Sequence, residues 1–314
     1  MKVAVIGATG FVGSHIVDSL EQAQHQVSLL VRPGSEDKIP AGDHFRVTKG
    51  DVDSADALDA TLSGCDAVIY CIGILREFPK QSVTFEALQY EGVVRTVDSA
   101  RRCAVGRFLL MSANGVRVNG TSYQSTKFRA EEHVLASGLD ATIFQPSVIF
   151  GNPHGRMEIA TQLCRDMVQV PYPAVGFFSG ISPRDGAVKM SPVHVQDVAR
   201  AFSAALDDPS TIGRTFALGG PEEVTWTGMI RTISATVGRR KWILPYPIAL
   251  MKAAATLFDW LPVFPVTRDQ LTMLAEGNTA DCADLELLIG QSARRFEPGN
   301  LDYLRDAVTK SSSA

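Results

Sequence analysis

The 314-residue sequence is poor in the features that mark special classes of protein. Its five cysteines, Cys65, Cys71, Cys103, Cys164 and Cys282, form no CxxC pair and have no neighbouring histidine pair. That odd, scattered set excludes a disulfide framework and a zinc ribbon. It reads as reduced thiols in a cytoplasmic chain without a metal site. No block of Lys and Arg stands out and the net charge is −4, which excludes nucleic acid as a partner. With 45% hydrophobic and 20% charged residues, bulk disorder is excluded too. There is no internal repeat. Long apolar runs are also missing. Met1-Lys2-Val3-Ala4-Val5-Ile6 is too short for a signal peptide and turns straight into glycines. Residues 243–264 are apolar, but Pro245, Pro247 and Pro262 confine a helix to residues 248–261. That helix would span about 21 Å, against the roughly 30 Å of a hydrocarbon core. Lys252 and Asp259 would be costly inside it, so no transmembrane span is expected. Such a helix either packs on a core or presents Phe258 and Trp260 to a partner or a membrane surface.

What is present is alternation. Residues 2–6, 27–31, 45–49, 67–70, 108–111 and 141–144 are short, β-branched or aromatic runs, hence strands. Residues 13–22, 55–62, 84–103 and 125–137 have helical spacing between them. This predicts an α/β fold, a Rossmann-like doubly wound parallel sheet. After Phe150 the pattern breaks into Gly- and Pro-rich loops with a helix at 157–168. A helix at 195–206 and a strand at 215–218 follow, and from Gly220 the chain reads as helices punctuated by proline.

Gly7-Ala8-Thr9-Gly10-Phe11-Val12-Gly13 follows the first strand directly. Gly7 permits the turn, Gly10 lets a pyrophosphate approach the backbone, and Gly13 lets the helix sit close to the strand. The helix N-terminus offers free N–H groups and partial positive charge to phosphates. Gly7, Thr9, Gly10, Phe11, Val12 and Gly13 are therefore candidate cofactor contacts. An NAD site wants an acid at the end of the second strand. Here Arg32 stands there, with Ser35 close behind and Lys38 beyond, which favours NADP(H) over NAD(H). Asp51 and Val52 end the third strand, where Asp51 either accepts from the adenine amino group or caps a helix. Cys71, Ile72 and Gly73 end the fourth strand, beside the cofactor path.

Tyr123 and Lys127, four apart at a helix start, share one face. A neighbouring ammonium lowers a phenol's pKa and lets it exchange a proton with a substrate oxygen as hydride moves. Ser112, at the end of the fifth strand, is placed to orient that oxygen. The alternative reading gives Tyr123 and Lys127 only structural and cofactor-binding roles.

These residues together resemble the short-chain dehydrogenase/reductase superfamily in its extended, atypical branch, over essentially the whole length. The resemblance rests on Gly7–Gly13, on Tyr123-Gln124-Ser125-Thr126-Lys127 with Glu131, and on residues 144–151 (FQPSVIFG). It extends through residues 191–199 (SPVHVQDVA) and Leu218-Gly219-Gly220-Pro221. Within the branch the chain is most similar to the NADPH-binding accessory subunits of respiratory complex I and their bacterial relatives, on Thr267-Arg268-Asp269-Gln270-Leu271 and Asn278. Gln145 stands where the branch often has Arg, and Gln89 where it has Asn. The resemblance implies a nucleotide domain of residues 1–150 plus about 191–218, and a smaller, mostly helical lobe of 151–190 and 219–314. It implies that Pro146, Ser147 and Val148 border the nicotinamide and that His194 makes a structural hydrogen bond. Two functions follow. One is NADP-dependent hydride transfer on a small substrate, of oxidoreductase or epimerase type. The other is a non-catalytic NADPH-binding subunit, peripheral at a membrane, whose C-terminal lobe docks a membrane-complex protein partner.

Overall fold

The computed structural model describes residues 1–39, 45–183, 186–251, 253 and 268–305. The chain forms two compact units. The first comprises residues 1–146, 196–218 and 283–291, and the second comprises 147–195, 219–282 and 292–314. Residues 283–291 thus fall with the nucleotide-binding unit, not with the smaller lobe.

The first unit is built on seven strands: β1 (Lys2–Ile6), β2 (Gln26–Val31), β3 (Arg46–Lys49), β4 (Ala67–Tyr70), β5 (Arg107–Met111), β6 (Asp140–Pro146) and β7 (Arg214–Leu218). Their order is β3-β2-β1-β4-β5-β6-β7, and every pair is parallel. This is the doubly wound sheet expected from the alternation, with its direction of growth reversing between β1 and β4. The helices are α1 (Phe11–Gln22), α2 (Ala55–Leu62), α3 (Gly92–Arg102), α4 (Ser122–Leu135), α5 (Val195–Asp207) and α6 (Ala283–Ile289). Strand residues alternate between two buried faces. Ala4, Ile6, Val68, Tyr70, Phe108, Leu110 and Ile143 meet Leu58, Leu62, Val93, Val97, Ala130 and Val134 of α2, α3 and α4. On the opposite face Phe144 of β6 packs on Phe202 of α5 and Phe216 of β7, with ring centroids 4.4 and 5.8 Å apart.

Buried Arg107 ties this end of the sheet together. Its guanidinium donates to Asp140 O (2.6 Å), Thr142 Oγ1 (2.7 Å), Ala205 O (2.9 Å) and Thr211 Oγ1 (2.8 Å). Arg107→Ala removes four charge-assisted bonds at once from a buried site, so denaturant titration should show a loss of about 2 kcal/mol.

The long helix expected at 84–103 begins instead with a wide, π-helical turn at Glu86–Glu91 before α3. The Tyr70 hydroxyl donates to Leu88 O inside that turn. A Cβ at Gly92 would come within 2.3 Å of that hydroxyl. A phenol from β4 therefore sets the local winding, which helical periodicity cannot register.

The second unit has its own core, in which Phe150, Leu163, Trp226, Ile230, Ile233, Phe296 and Leu304 pack together. Its helices include Ile159–Leu163, continued by a π-helical turn at Cys164–Val168, and Trp226–Thr236. Two strands here differ from the loop and helix reading. Ala174–Phe178 pairs in parallel with Ile243–Pro247. Pro245 and Pro247 lack N–H donors, which suits a two-stranded pair with an open edge. Among the described residues no helix is long and apolar enough to cross a membrane. Lys252, Phe258, Asp259, Trp260 and Thr267, on which the docking reading and part of the resemblance rest, lie outside the described residues.

Candidate functional site

The site residues of the first unit gather at the carboxyl ends of β1, β2, β4, β5 and β6. Gly7 leaves β1 with φ +104°, a region that L side chains rarely adopt. A Cβ there would lie 3.0 Å from Ile72 N and 3.1 Å from Cys71 C, so the loops after β1 and β4 touch at the switch point. A Cβ on Gly13 would sit 2.1 Å from Gly7 O. Only glycine lets α1 start this close to the strand. Gly10 is the N-cap of α1 and supplies no side-chain cap, and its own N–H donates to Gly7 O (3.0 Å). The helix entrance thus presents backbone, flanked by Thr9 and Phe11, with Val12 buried beneath.

Arg32 follows β2 and is exposed. No hydrogen bond or ion pair holds its guanidinium among the described residues. The turn behind it is closed by Ser35 N–H donating to Arg32 O (3.0 Å), and Ser35 itself is buried. The acid nearest in sequence, Glu36, accepts from Gly34 N–H (2.7 Å) and pairs with Lys49 (3.3 Å). Those partners hold its carboxyl below the ordinary range, the largest cause being its own backbone N–H.

Asp51 caps no helix. Ser54 is the N-cap of α2, while Asp51 Oδ1 accepts from Val52 N–H (2.7 Å). Buried Val52 passes its carbonyl to Arg95 Nε (3.0 Å). The Cys71 thiol donates to Ile6 O (3.3 Å), and burial pushes it up to about 12, which makes it a small inert wall beside open Gly73.

α4 starts at Ser122, three residues before the periodic signal, because Thr121 and Gln124 form a reciprocal capping box. Tyr123 therefore sits in the first turn. Gln124 Nε2 also donates to Gly115 O (3.1 Å), which anchors the loop ahead of the helix. The Tyr123 ring meets Phe85 edge-on (5.6 Å), and Lys127 Nζ lies 5.7 Å from its centroid while donating to Met111 O (3.1 Å). The expected lowering of the phenol does not occur. Desolvation pushes the half-buried Tyr123 hydroxyl above its ordinary value, and Lys127 does not offset that loss. The Lys127 ammonium is itself pulled down by burial to about 8, with Glu131 and Cys71 opposing.

Ser112 is held by its backbone, whose N–H donates to Phe144 O (2.7 Å), and Asn114 N–H donates to Pro146 O (2.9 Å). Its hydroxyl is buried and makes no hydrogen bond of ordinary length, with the Glu131 carboxylate the acceptor in its reach. Sequence reading placed no role on Gln145 and gave Glu131 none beyond the motif. Yet Glu131 lies four residues past Lys127 on the same stripe, and Gln145 Nε2 donates to both its carboxylate oxygens (2.9 and 3.0 Å). Burial raises the Glu131 carboxyl against the pull of Ser112, Gln145 and Lys127. Gln89, also buried, donates to Ile74 O (2.9 Å) and accepts from Thr126 Oγ1 (3.3 Å).

Ser147 and Val148 belong to the second unit. The Ser147 hydroxyl is committed to Ser191 O, and Val148 O accepts from Val193 N–H (2.9 Å). His194 is buried with its ring edge-on to Phe150 (5.1 Å), a packed position.

The NAD(P)H-binding family profile matches residues 7–167. The chain is 30% identical over 309 residues to the mitochondrial NADH dehydrogenase (ubiquinone) 1 alpha subcomplex subunit 9 of Arabidopsis thaliana, covering 93% of this chain and 72% of that protein. It is 25% identical to the ceramide reductase of Caulobacter vibrioides, covering 82% and 77%. A solved UDP-glucuronic acid 4-epimerase from Bacillus cereus shares the fold with TM-score 0.72 at 17% identity, covering 99% and 100%. With glycines closing the β1–α1 turn and a parallel sheet reversing beside it, the chain belongs to the NAD(P)H-binding family, in the atypical branch of the short-chain dehydrogenase/reductase superfamily.

Proposed function

We propose that this protein binds NADP(H) in preference to NAD(H) and carries out hydride transfer on a small organic substrate. The observation that carries the catalytic part is the Ser112 hydroxyl, buried beside Lys127 with no hydrogen bond of ordinary length and only the Glu131 carboxylate within its electrostatic reach. An unpaired buried hydroxyl costs about 1–3 kcal/mol, a cost recovered when a ligand oxygen arrives. The residues present fit the cofactor. Gly7, Gly10 and Gly13 clear backbone for a pyrophosphate, Arg32 offers a free fork to a 2′-phosphate with Ser35 beside it, and Asp51 keeps one carboxylate oxygen for the adenine. Cys71, Ile72, Gly73 and Pro146 are assigned to the nicotinamide end. Nicotinamide bound here would supply the chemistry of hydride transfer. Ser112 would orient the substrate oxygen, Tyr123 would give that oxygen a proton on reduction and take it back on oxidation, and Lys127 would hold the ribose. The Tyr123 phenol is protonated at neutral pH, so it stands ready as a proton donor for reduction of a carbonyl.

NADPH should bind more tightly than NADH by isothermal titration, and Arg32→Ala should remove the difference, about 1.5–3 kcal/mol for charge-assisted bonds. Equal affinities for the two nucleotides in the unmutated protein would refute the preference.

A second reading is supported by the Lys127–Met111 contact and by the similarity to the mitochondrial subunit. Here NADPH is held without turnover, and the second unit docks a respiratory membrane complex as a peripheral subunit. NADPH at a hundred times its dissociation constant then adds about 2.7 kcal/mol of stability. Single-turnover NADPH oxidation against a panel of aldehydes and ketones separates the two. Strong thermal stabilisation with no oxidation of any carbonyl selects the second.

A further inference from the structure

Tyr123, Lys127 and Glu131 follow one another at i, i+4 and i+8 on α4, so their side chains form a single stripe. Lys127 and Glu131 are 4% and 7% exposed, which leaves little solvent to screen them. Around Lys127 the neutral groups are the Cys71 thiol of the β4 loop, Tyr70 of β4, Gln89 of the π-helical turn, and Met111 O and Ser112 of β5. Tyr123 faces it from its own helix. Burial keeps the Cys71, Tyr70 and Tyr123 hydrogens in place at neutral pH. That leaves Glu131 as the negative charge acting on the lysine among the described residues. Both Glu131 oxygens accept from one amide nitrogen, Gln145 Nε2, an arrangement that suits an ionised carboxylate.

We propose that Glu131, fixed by Gln145, is a positioning residue that keeps Lys127 protonated in a dry site. The idea rests on the cofactor role given to Lys127 above and adds what makes that role possible at neutral pH. A desolvated lysine poised at about 8 has little margin. As pH rises through that value the ammonium is lost, and the charge-assisted donor to the nucleotide becomes a weaker, neutral amine. Gln145 is neutral, so it holds the carboxylate without adding charge. A second cation there would compete with Lys127 for the same carboxylate.

The test is carbon NMR of lysine-labelled, ligand-free protein, with Lys127→Ala assigning the resonance. Glu131→Gln, of the same shape, should lower the Lys127 midpoint by about one unit, while Glu131→Asp should keep it near that of the unmutated chain. NADPH affinity at pH 7.5 should then weaken about threefold in Glu131→Gln, in proportion to the lost protonated fraction. If Glu131→Gln does not fold, Gln145→Leu serves, since loss of the amide lets the carboxylate take a proton and the midpoint again falls. An unmoved Lys127 midpoint in a folded Glu131→Gln or Gln145→Leu protein overturns the proposal. A midpoint that moves while NADPH affinity stays flat with pH supports the influence of the Glu131 charge and removes instead the cofactor role of Lys127.

Discussion

Tyr123→Phe should cut the single-turnover oxidation of NADPH by a carbonyl substrate by about 10²–10⁴-fold, the usual weight of a positioned proton donor. NADPH affinity should stay within about twofold of the unmutated protein, because the hydroxyl is the only atom removed and the ring still meets Phe85. Stability should hardly change for the same reason. The effect belongs in kcat rather than in KM, since the proton transfer is made only in the transition state. A fully active Tyr123→Phe protein would remove Tyr123 from the mechanism and leave Ser112 as the proton donor to examine.

Gly13→Ala is expected to be the most damaging small substitution in the cradle. Its methyl carbon would be 2.1 Å from Gly7 O, 2.8 Å from Gly7 C and 3.0 Å from Ala8 Cα, all backbone atoms. No rotamer change relieves contacts of that kind, so α1 must move off the strand. Denaturant titration should show a loss of about 3 kcal/mol, at the upper end for overpacking. The loop that receives the pyrophosphate moves with the helix, so NADPH binding should fall by at least about 100-fold. Gly34→Ala makes a useful contrast. Its added carbon meets nothing within 4 Å, and only the strain of its φ of +83° remains, roughly 1 kcal/mol. If both variants bind NADPH equally well, close approach of α1 is not what the glycine secures.

The sequence by itself determined the features that depend on neighbours along the chain. The parallel sheet was legible because both its faces are buried, so each strand is a short apolar run bounded by turn residues. The tight β1–α1 turn was legible because three glycines at fixed spacing follow a strand and open a helix. Tyr123 and Lys127 were placed on one face by helical geometry alone. The tertiary structure decided whatever depends on solvent being removed by residues far away in sequence. Desolvation raises the Tyr123 phenol where the i+4 lysine alone argued for lowering it. The Ser112 hydroxyl is buried because β6 pairs with the end of β5, whose Ser112 N–H donates to Phe144 O. The Glu131–Gln145 contact joins a helix to a strand fourteen residues on. Tyr70 rewinds the start of the helix at 84–103 through a hydrogen bond spanning eighteen residues. Ala174–Phe178 became a strand only because Ile243–Pro247 lies beside it. Periodicity and motif spacing report local backbone preference. The charge state of a buried group and the partner of a short strand are set by contacts between segments that only the folded chain brings together.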